Sequence, residues 1–291
     1  MKLYKSKRAE ERILVSYDQL LHQWGVDYEE RNIQTRYGDT HIITCGESDK
    51  PALLLFHGVG DDSALMWVYN AKALSRHFRI FAVDTIGGPG KSRPNLNYGK
   101  GFDSVIWIDE VLDRLGLGEV RMAGVSQGAY IALNYTAARP NRVKKTICLA
   151  ASVPVAGVNY MWTMLKIFLP EALFPTNRNT ERLIRKLTGT NSDVFLKNEV
   201  IMEHYQSLLK GFNNMAMSYH KIIPLNDDQI DSLRDKVLYL VGEDDPFAIR
   251  GGKKVLISKG MRVRFLENVG HGINHEISDE INKIVVETLS D

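Results

Sequence analysis

Apolar positions along this chain change period several times, and each change marks a structural element. Between residues 9 and 24, Ile13, Leu14, Tyr17, Leu20, Leu21 and Trp24 recur at helical spacing with charges between them, which predicts an amphipathic helix packed on a larger body. A helix lying on a membrane surface is the alternative, but the polar face mixes both signs of charge. Short strand patterns at Arg31–Arg36 and His41–Cys45 flank the turn signal Tyr37-Gly-Asp-Thr40, so a leading antiparallel hairpin is expected. Ala52-Leu-Leu-Leu-Phe56 is a continuous apolar run of the buried-strand type.

From there helices and strands alternate. The pattern predicts a helix over Ala64–Arg76 and a strand at Arg79–Val83. A helix over Val105–Leu115 follows behind Asp103 as its cap, then a strand at Val120–Val125. A helix over Gln127–Ala138, stopped by Pro140, leads to a strand at Val143–Ala150. Alternation at this spacing implies crossover units on a parallel sheet. It breaks at Ser152, and through Asn226 the pattern is helical only. It resumes with a strand at Val237–Val241, a helix over Ala248–Ser258, a strand at Val263–Leu266 and a terminal helix from about Asn274. The expected fold class is α/β: a mostly parallel sheet flanked by helices, made of residues 1–151 and 227–291 and interrupted by a helical insertion over 152–226.

Composition narrows the class of protein. A chain of 291 residues, 44% hydrophobic and 25% charged, is that of an ordinary globular protein with a sizeable core. A net charge of +2 gives no electrostatic reason to expect nucleic acid or a membrane as partner. Cys45 and Cys148 lie far apart, match no metal-ligand spacing and sit in apolar strand patterns, so buried free thiols are expected. The N-terminus runs from Lys2, Lys5 and Arg8 into Ala9-Glu-Glu-Arg12, not into a signal-peptide apolar stretch, and no window approaches 18 apolar residues. The expectation is a cytoplasmic protein with a small-molecule partner. Its oligomeric state cannot be read from the chain.

The chemistry centres on Gly124-Val-Ser126-Gln-Gly128, placed between a strand that stops and a helix that starts. Such a turn lifts the serine out of the sheet edge, and a side chain at either glycine would collide with the facing chain. A serine hydroxyl is a poor nucleophile until a base takes its proton, so it needs a histidine and a group to orient that histidine. Both candidates fall directly after strands: Asp245 in Gly242-Glu-Asp-Asp245, and His271 in Asn268-Val-Gly-His271. In a parallel sheet these strand ends share one edge with the turn at Ser126.

With these residues in view, the chain resembles a capped, esterase-like member of the α/β-hydrolase family from about Glu30 to the C-terminus. His57-Gly58 resembles the family's oxyanion loop. Asp84-Thr-Ile-Gly-Gly-Pro-Gly-Lys-Ser92 is similar to its D-x-x-G-x-G-x-S loop, one residue longer. Gly124-x-Ser126-x-Gly128 resembles the nucleophile elbow, and Gly242-x-x-Asp245 and Gly270-His271 resemble the acid and base loops. Within the family, the leading helix and the wording of the 84–92 loop look most like bacterial carboxylesterase-type members. The resemblance implies a catalytic set of Ser126, Asp245 and His271, with the backbone N–H groups of Val59 and Gln127 as the oxyanion hole, and no cofactor or metal. Relatives that cleave epoxides or carbon–halogen bonds place Asp where Ser126 stands.

Several competing readings bear on the same residues. His275 competes with His271 but falls where the terminal helix begins, where it would point off the loop tip. Asp244 competes with Asp245 and reads as a solvated loop carboxylate. His57 reads as a structural hydrogen-bonding residue. His271-x-x-x-His275 lacks the glutamate at position 272 that a zinc helix needs. Gly90-Lys91-Ser92 lacks the leading glycine of a phosphate loop, since Thr85 stands there. Gly58-x-Gly60-x-x-Ser63 with Asp84 is close to a dinucleotide fingerprint, but that reading leaves Ser126, Asp245 and His271 unexplained.

The insertion bears on substrate. It holds Met161, Met164, Met202, Met215 and Met217 together with Tyr160, Trp162, Phe168, Phe174, Phe195, Tyr205, Phe212 and Tyr219. Most of these would pack helix on helix, but a cap over the strand ends must also present apolar surface to the site. This favours an apolar acyl or aromatic group over a sugar or phosphate. Its eight Lys or Arg against five Asp or Glu argue against a substrate ammonium. The expected activity is hydrolysis of a small carboxylic ester. Other reactions on the same triad (carbon–carbon, lactone or thioester hydrolysis, or acyl transfer) and a non-hydrolytic ligand receptor on this scaffold stay open, and no substrate-binding residue is assigned.

Overall fold

The computed structural model describes residues 2–156, 160–169, 171 and 173–290, without the side chains of Tyr160 and Met161, so the expected part of those two side chains in the cap lies outside what is described. Helix α1 (Lys7–Gln23) is capped by Ser6, whose Oγ accepts from the Ala9 amide at 3.1 Å. Its expected apolar face is buried at Ile13, Tyr17, Leu20, Leu21 and Trp24, with Leu14 only half-buried. Trp24 fixes the end of that face by donating from Nε1 to the Ala64 carbonyl at 2.9 Å. The face therefore packs on protein.

Strands β1 (Tyr28–Thr35) and β2 (Gly38–Cys45) form the expected antiparallel hairpin, although β2 starts three residues earlier than the apolar pattern suggested. Gly38 allows this. Its φ of 124° lies where glycine is favoured, and a Cβ there would fall 2.2 Å from the Arg93 carbonyl oxygen. Then come β3 (Ala52–Phe56), β4 (Arg79–Val83), the two-residue β5 (Arg93–Pro94), β6 (Val120–Val125), β7 (Val143–Leu149), β8 (Val237–Gly242) and β9 (Arg262–Leu266). The sheet order is β1-β2-β4-β3-β6-β7-β8-β9, with β5 on β2, and every pairing from β4 to β9 is parallel.

Helices cover the sheet. The stretch expected as one helix over Ala64–Arg76 is instead two single turns, α2 (Ser63–Met66) and α3 (Ala71–Leu74). Trp67, Val68 and Asn70 between them are all buried. Asn70 Nδ2 bonds the Asn274 carbonyl and Asn282 Oδ1, so tertiary partners outweigh helix continuity. Helices α4 (Ser104–Arg114) and α5 (Gln127–Ala138) follow as expected, α4 capped by Asp103.

Between β7 and β8 lie α6 (Tyr160–Phe168), α7 (Asn177–Leu187), α8 (Asp193–Leu196) and α9 (Glu199–Gly211), and no strand interrupts them among the described residues. Helix α10 (Asp227–Leu233) opens on a capping box at Asn226 and Gln229 and packs Ile230 and Leu233 against the sheet core. The helix expected over Ala248–Ser258 kinks at Gly251, where φ is 125°, and runs regularly only as α11 (Lys253–Ser258). The terminal helix is likewise split, into α12 (Ile273–Glu276) and α13 (Ser278–Leu289), by the non-helical Ile277. Cys45 and Cys148 are buried free thiols. No helix among the described residues is long and apolar enough to cross a membrane.

Candidate active site

The parallel registers bring several loops to one edge. Phe56 pairs with Gly124, Val125 with Leu149, Leu149 with Leu240 and Gly242 with Leu266, so the chain leaves β3, β6, β8 and β9 along one line. Ser126 sits in the tight turn between β6 and α5 with φ 54° and ψ −116°, a conformation a non-glycine residue holds only when its surroundings impose it. Those surroundings are tight. A Cβ on Gly124 would lie 2.3 Å from the Gly128 backbone, and one on Gly128 would lie 2.3 Å from the Phe56 carbonyl oxygen. Both glycines are thus required by close backbone approach, as expected.

Asp245 is buried and uses both carboxyl oxygens. Oδ1 accepts from the Phe247 amide at 2.8 Å, and Oδ2 lies 2.8 Å from His271 Nδ1. The Phe247 ring packs 4.8 Å from the His271 ring, centroid to centroid. Held this way, the imidazole carries its proton on Nδ1 and leaves Nε2 for other work. Ser126 and His271 line the same cavity, although no hydrogen bond joins them here. Bonds of this kind are often long in a free site and tighten once it is occupied. Asp244 is exposed, as expected of a loop carboxylate.

His57 is fully buried, accepts from the Thr85 amide at Nε2 (2.9 Å) and donates from Nδ1 to the Gly58 carbonyl (2.8 Å). Burial lowers its pKa, so it serves as a neutral strut under the loop. His275 does not point off the loop tip as expected. It is buried beside Phe195 and Tyr69, bonds the Leu65 carbonyl at 3.0 Å, and burial lowers its pKa to about 4. The break at Ile277 turns α12 inward and carries this ring with it.

Val59 and Gln127 also line the cavity, and neither backbone amide makes a hydrogen bond among the described residues. For Gln127 this follows from its place at the first position of α5. Its side chain is engaged, donating to the His220 carbonyl at 2.9 Å. The 57–62 loop stands close to the serine: a Cβ on Gly58 would lie 3.6 Å from that of Ser126.

Glu276 is a member of the site that sequence reasoning did not assign. Its carboxyl accepts from the Gly270 amide at 3.0 Å, beside His271, and from the Gly189 amide at 2.7 Å in the insertion. Burial raises its pKa to about 7 against the pull of these two bonds. Only the split of the terminal helix brings it there, so no spacing in the chain could have marked it.

The cavity encloses about 360 Å³ under the insertion. Met164, Phe168, Ile184, Leu187, Tyr205 and Leu208 are among its walls, and among the described residues no Lys or Arg lines it. Among the described residues no group of His, Cys, Asp and Glu is arranged to hold a metal ion.

The geometry defines the class. The profile of the alpha/beta hydrolase fold family matches residues 51–276, and the chain belongs to that family. It is of the carboxylesterase type. It is 36% identical over 283 residues to the uncharacterized carboxylesterase nap of Bacillus subtilis (strain 168), covering 94% of this chain and 91% of that one. It is 28% identical over 288 residues to carboxylesterase YbfK of the same organism, covering 96% and 93%. The crystal structure of naproxen esterase (carboxylesterase NP) from Bacillus subtilis shares the fold with a TM-score of 0.84 at 24% identity, over 97% of this chain and 99% of that one.

Proposed function

We propose that this chain hydrolyses small carboxylic esters with an apolar acyl or aromatic group through an acyl-enzyme on Ser126. The observation that carries this reading is the His271–Asp245 hydrogen bond of 2.8 Å on the cavity that Ser126 also lines. His271 Nε2 takes the Ser126 proton as Oγ attacks the ester carbon. Asp245 holds the imidazole in the needed tautomer and stabilises its charged form. The unbonded amides of Val59 and Gln127 receive the oxyanion, each donor contributing about 3–4 kcal/mol to the transition state. His271 returns the proton to the leaving alcohol, then activates the water that releases the acid.

The apolar walls support an apolar substrate group, and the carboxylesterase names of the relatives support ester hydrolysis. The insertion over 152–226 acts as the cap in this reading. Turnover of a chain-length series of nitrophenyl esters, with fluorophosphonate labelling and Ser126→Ala as control, tests it. Labelling and turnover that vanish in the variant support the reading. A wild-type protein that neither labels nor cleaves any ester refutes it.

A further inference from the structure

Asp61 adds a carboxyl group to the cavity that the ester mechanism does not use. It follows Val59 and Gly60 in the loop after β3 and lines the cavity with Ser126 and His271. Its one hydrogen bond among the described residues is Oδ1 accepting from the Asp62 amide at 2.8 Å, and no Lys, Arg or His pairs with it. The next residue is also acidic. Asp62 is buried, its Oδ1 accepting from the Leu65 amide and its Oδ2 lying against His204. Burial, reinforced by the neighbouring Asp62, pushes the Asp61 pKa well above the ordinary carboxylate range.

A half-buried carboxyl on an apolar wall, served by one backbone amide and by no side-chain donor, is costly to keep charged, and the cost is relieved by a ligand that brings a donor or a positive charge. The excess of Lys and Arg in the insertion does not reverse this, because none of those side chains lines the cavity. Asp245, the other acid of the wall, is already satisfied by Phe247 and His271. The cavity is therefore apolar, acidic at one place and without a fixed cation.

We propose that Asp61 is a specificity-determining residue that receives a protonated amine on the substrate, the bound ammonium drawing the carboxyl into its charged form, so that the cavity favours amine-bearing esters, while its apolar walls offer no cation to a carboxylate-bearing one. This rests on the ester-hydrolase reading for the word substrate, but the amine site itself stands on the cavity alone. It reverses the expectation drawn from the charge of the insertion. The acid that matters is on the β3 loop, not among the inserted helices.

The test compares three nitrophenyl esters of matched chain length ending in methyl, ammonium or carboxylate. Calorimetric binding of hexylamine, hexanol and hexanoate runs alongside. Wild-type protein is expected to bind hexylamine at least about tenfold more tightly than hexanol and to prefer the ammonium ester in kcat/KM by a similar factor, with hexanoate bound weakest. In Asp61→Asn both amine-to-neutral ratios should collapse toward unity. Wild-type protein that binds hexylamine no better than hexanol overturns the proposal whether or not the variant folds, as does a ratio unchanged in the variant. An amine preference without turnover of any ester would leave the Asp61 site standing and refute ester hydrolysis instead.

Discussion

Asp62 Oδ2 lies 2.7 Å from His204 Nε2, and neither side chain reaches solvent. The other ring nitrogen of His204 lies 2.8 Å from Ser16 Oγ. One histidine on α9 thus ties the inserted helices to α1 and to the loop that carries Val59 and Asp61. His204→Ala leaves the Asp62 carboxyl buried and without its partner, so unfolding in urea should show a loss of about 3 kcal/mol. Ester turnover should fall as well, because the 57–62 loop loses its anchor. A variant as stable as the parent would show that the contact is incidental.

The proposed nucleophile and its base act as a unit. Ser126→Ala and His271→Ala should each lower kcat by about four orders of magnitude or more, and the double variant by little further. Asp245→Asn should reduce kcat by about 10³- to 10⁴-fold, since an amide facing Nδ1 favours the wrong tautomer. Steady-state kinetics on one nitrophenyl ester check all four variants.

Gly128→Ala places a methyl group 2.3 Å from the Phe56 carbonyl oxygen, a clash with backbone on which no side chain can give way. Thermal unfolding should show a loss above about 3 kcal/mol, or no folded protein at all. Gly118→Ala is the control, since nothing lies within 4 Å of a Cβ there. It should leave the transition nearly where it was.

His41 joins Asp84 at 3.0 Å and Glu30 at 3.1 Å. Burial opposes its charged form, but the hydrogen bonds and charges of Asp84 and Glu30 outweigh burial and raise its pKa to about 9. Because the folded value lies above the unfolded value of 6.5, its stabilising effect is complete below about pH 6.5 and is lost as pH rises through about 9. Urea midpoints across that range should fall in the parent and fall less in His41→Gln.

Much of the fold was legible because strand and helix periods are local properties. The elbow and the loops at Asp245 and His271 follow directly from strands that the apolar runs reveal. What escaped depended on distant partners. The single turns α2 and α3 replace one helix because Asn70 is held by residues some 200 positions away. The inward position of His275, and Glu276 beneath the His271 loop, follow from one non-helical residue, Ile277. Asp61 was invisible for another reason. Its sequence context reads as an ordinary polar loop, and only the cavity shows that the carboxyl has no donor from a side chain.

The anchoring of α1 has a consequence for how the chain is made. Residues 4–24 leave the ribosome before their partners do: Tyr17 bonds Asp84, 67 residues on, and Ser16 waits for His204, 188 residues on. Tyr4 forms its bridge with Phe212 later still. Trp24 and Tyr17 can meet Ala64 and Asp84 early, but the contacts of α1 with the inserted helices must wait for residues 204 and 212, so the docking of this helix is completed late in synthesis.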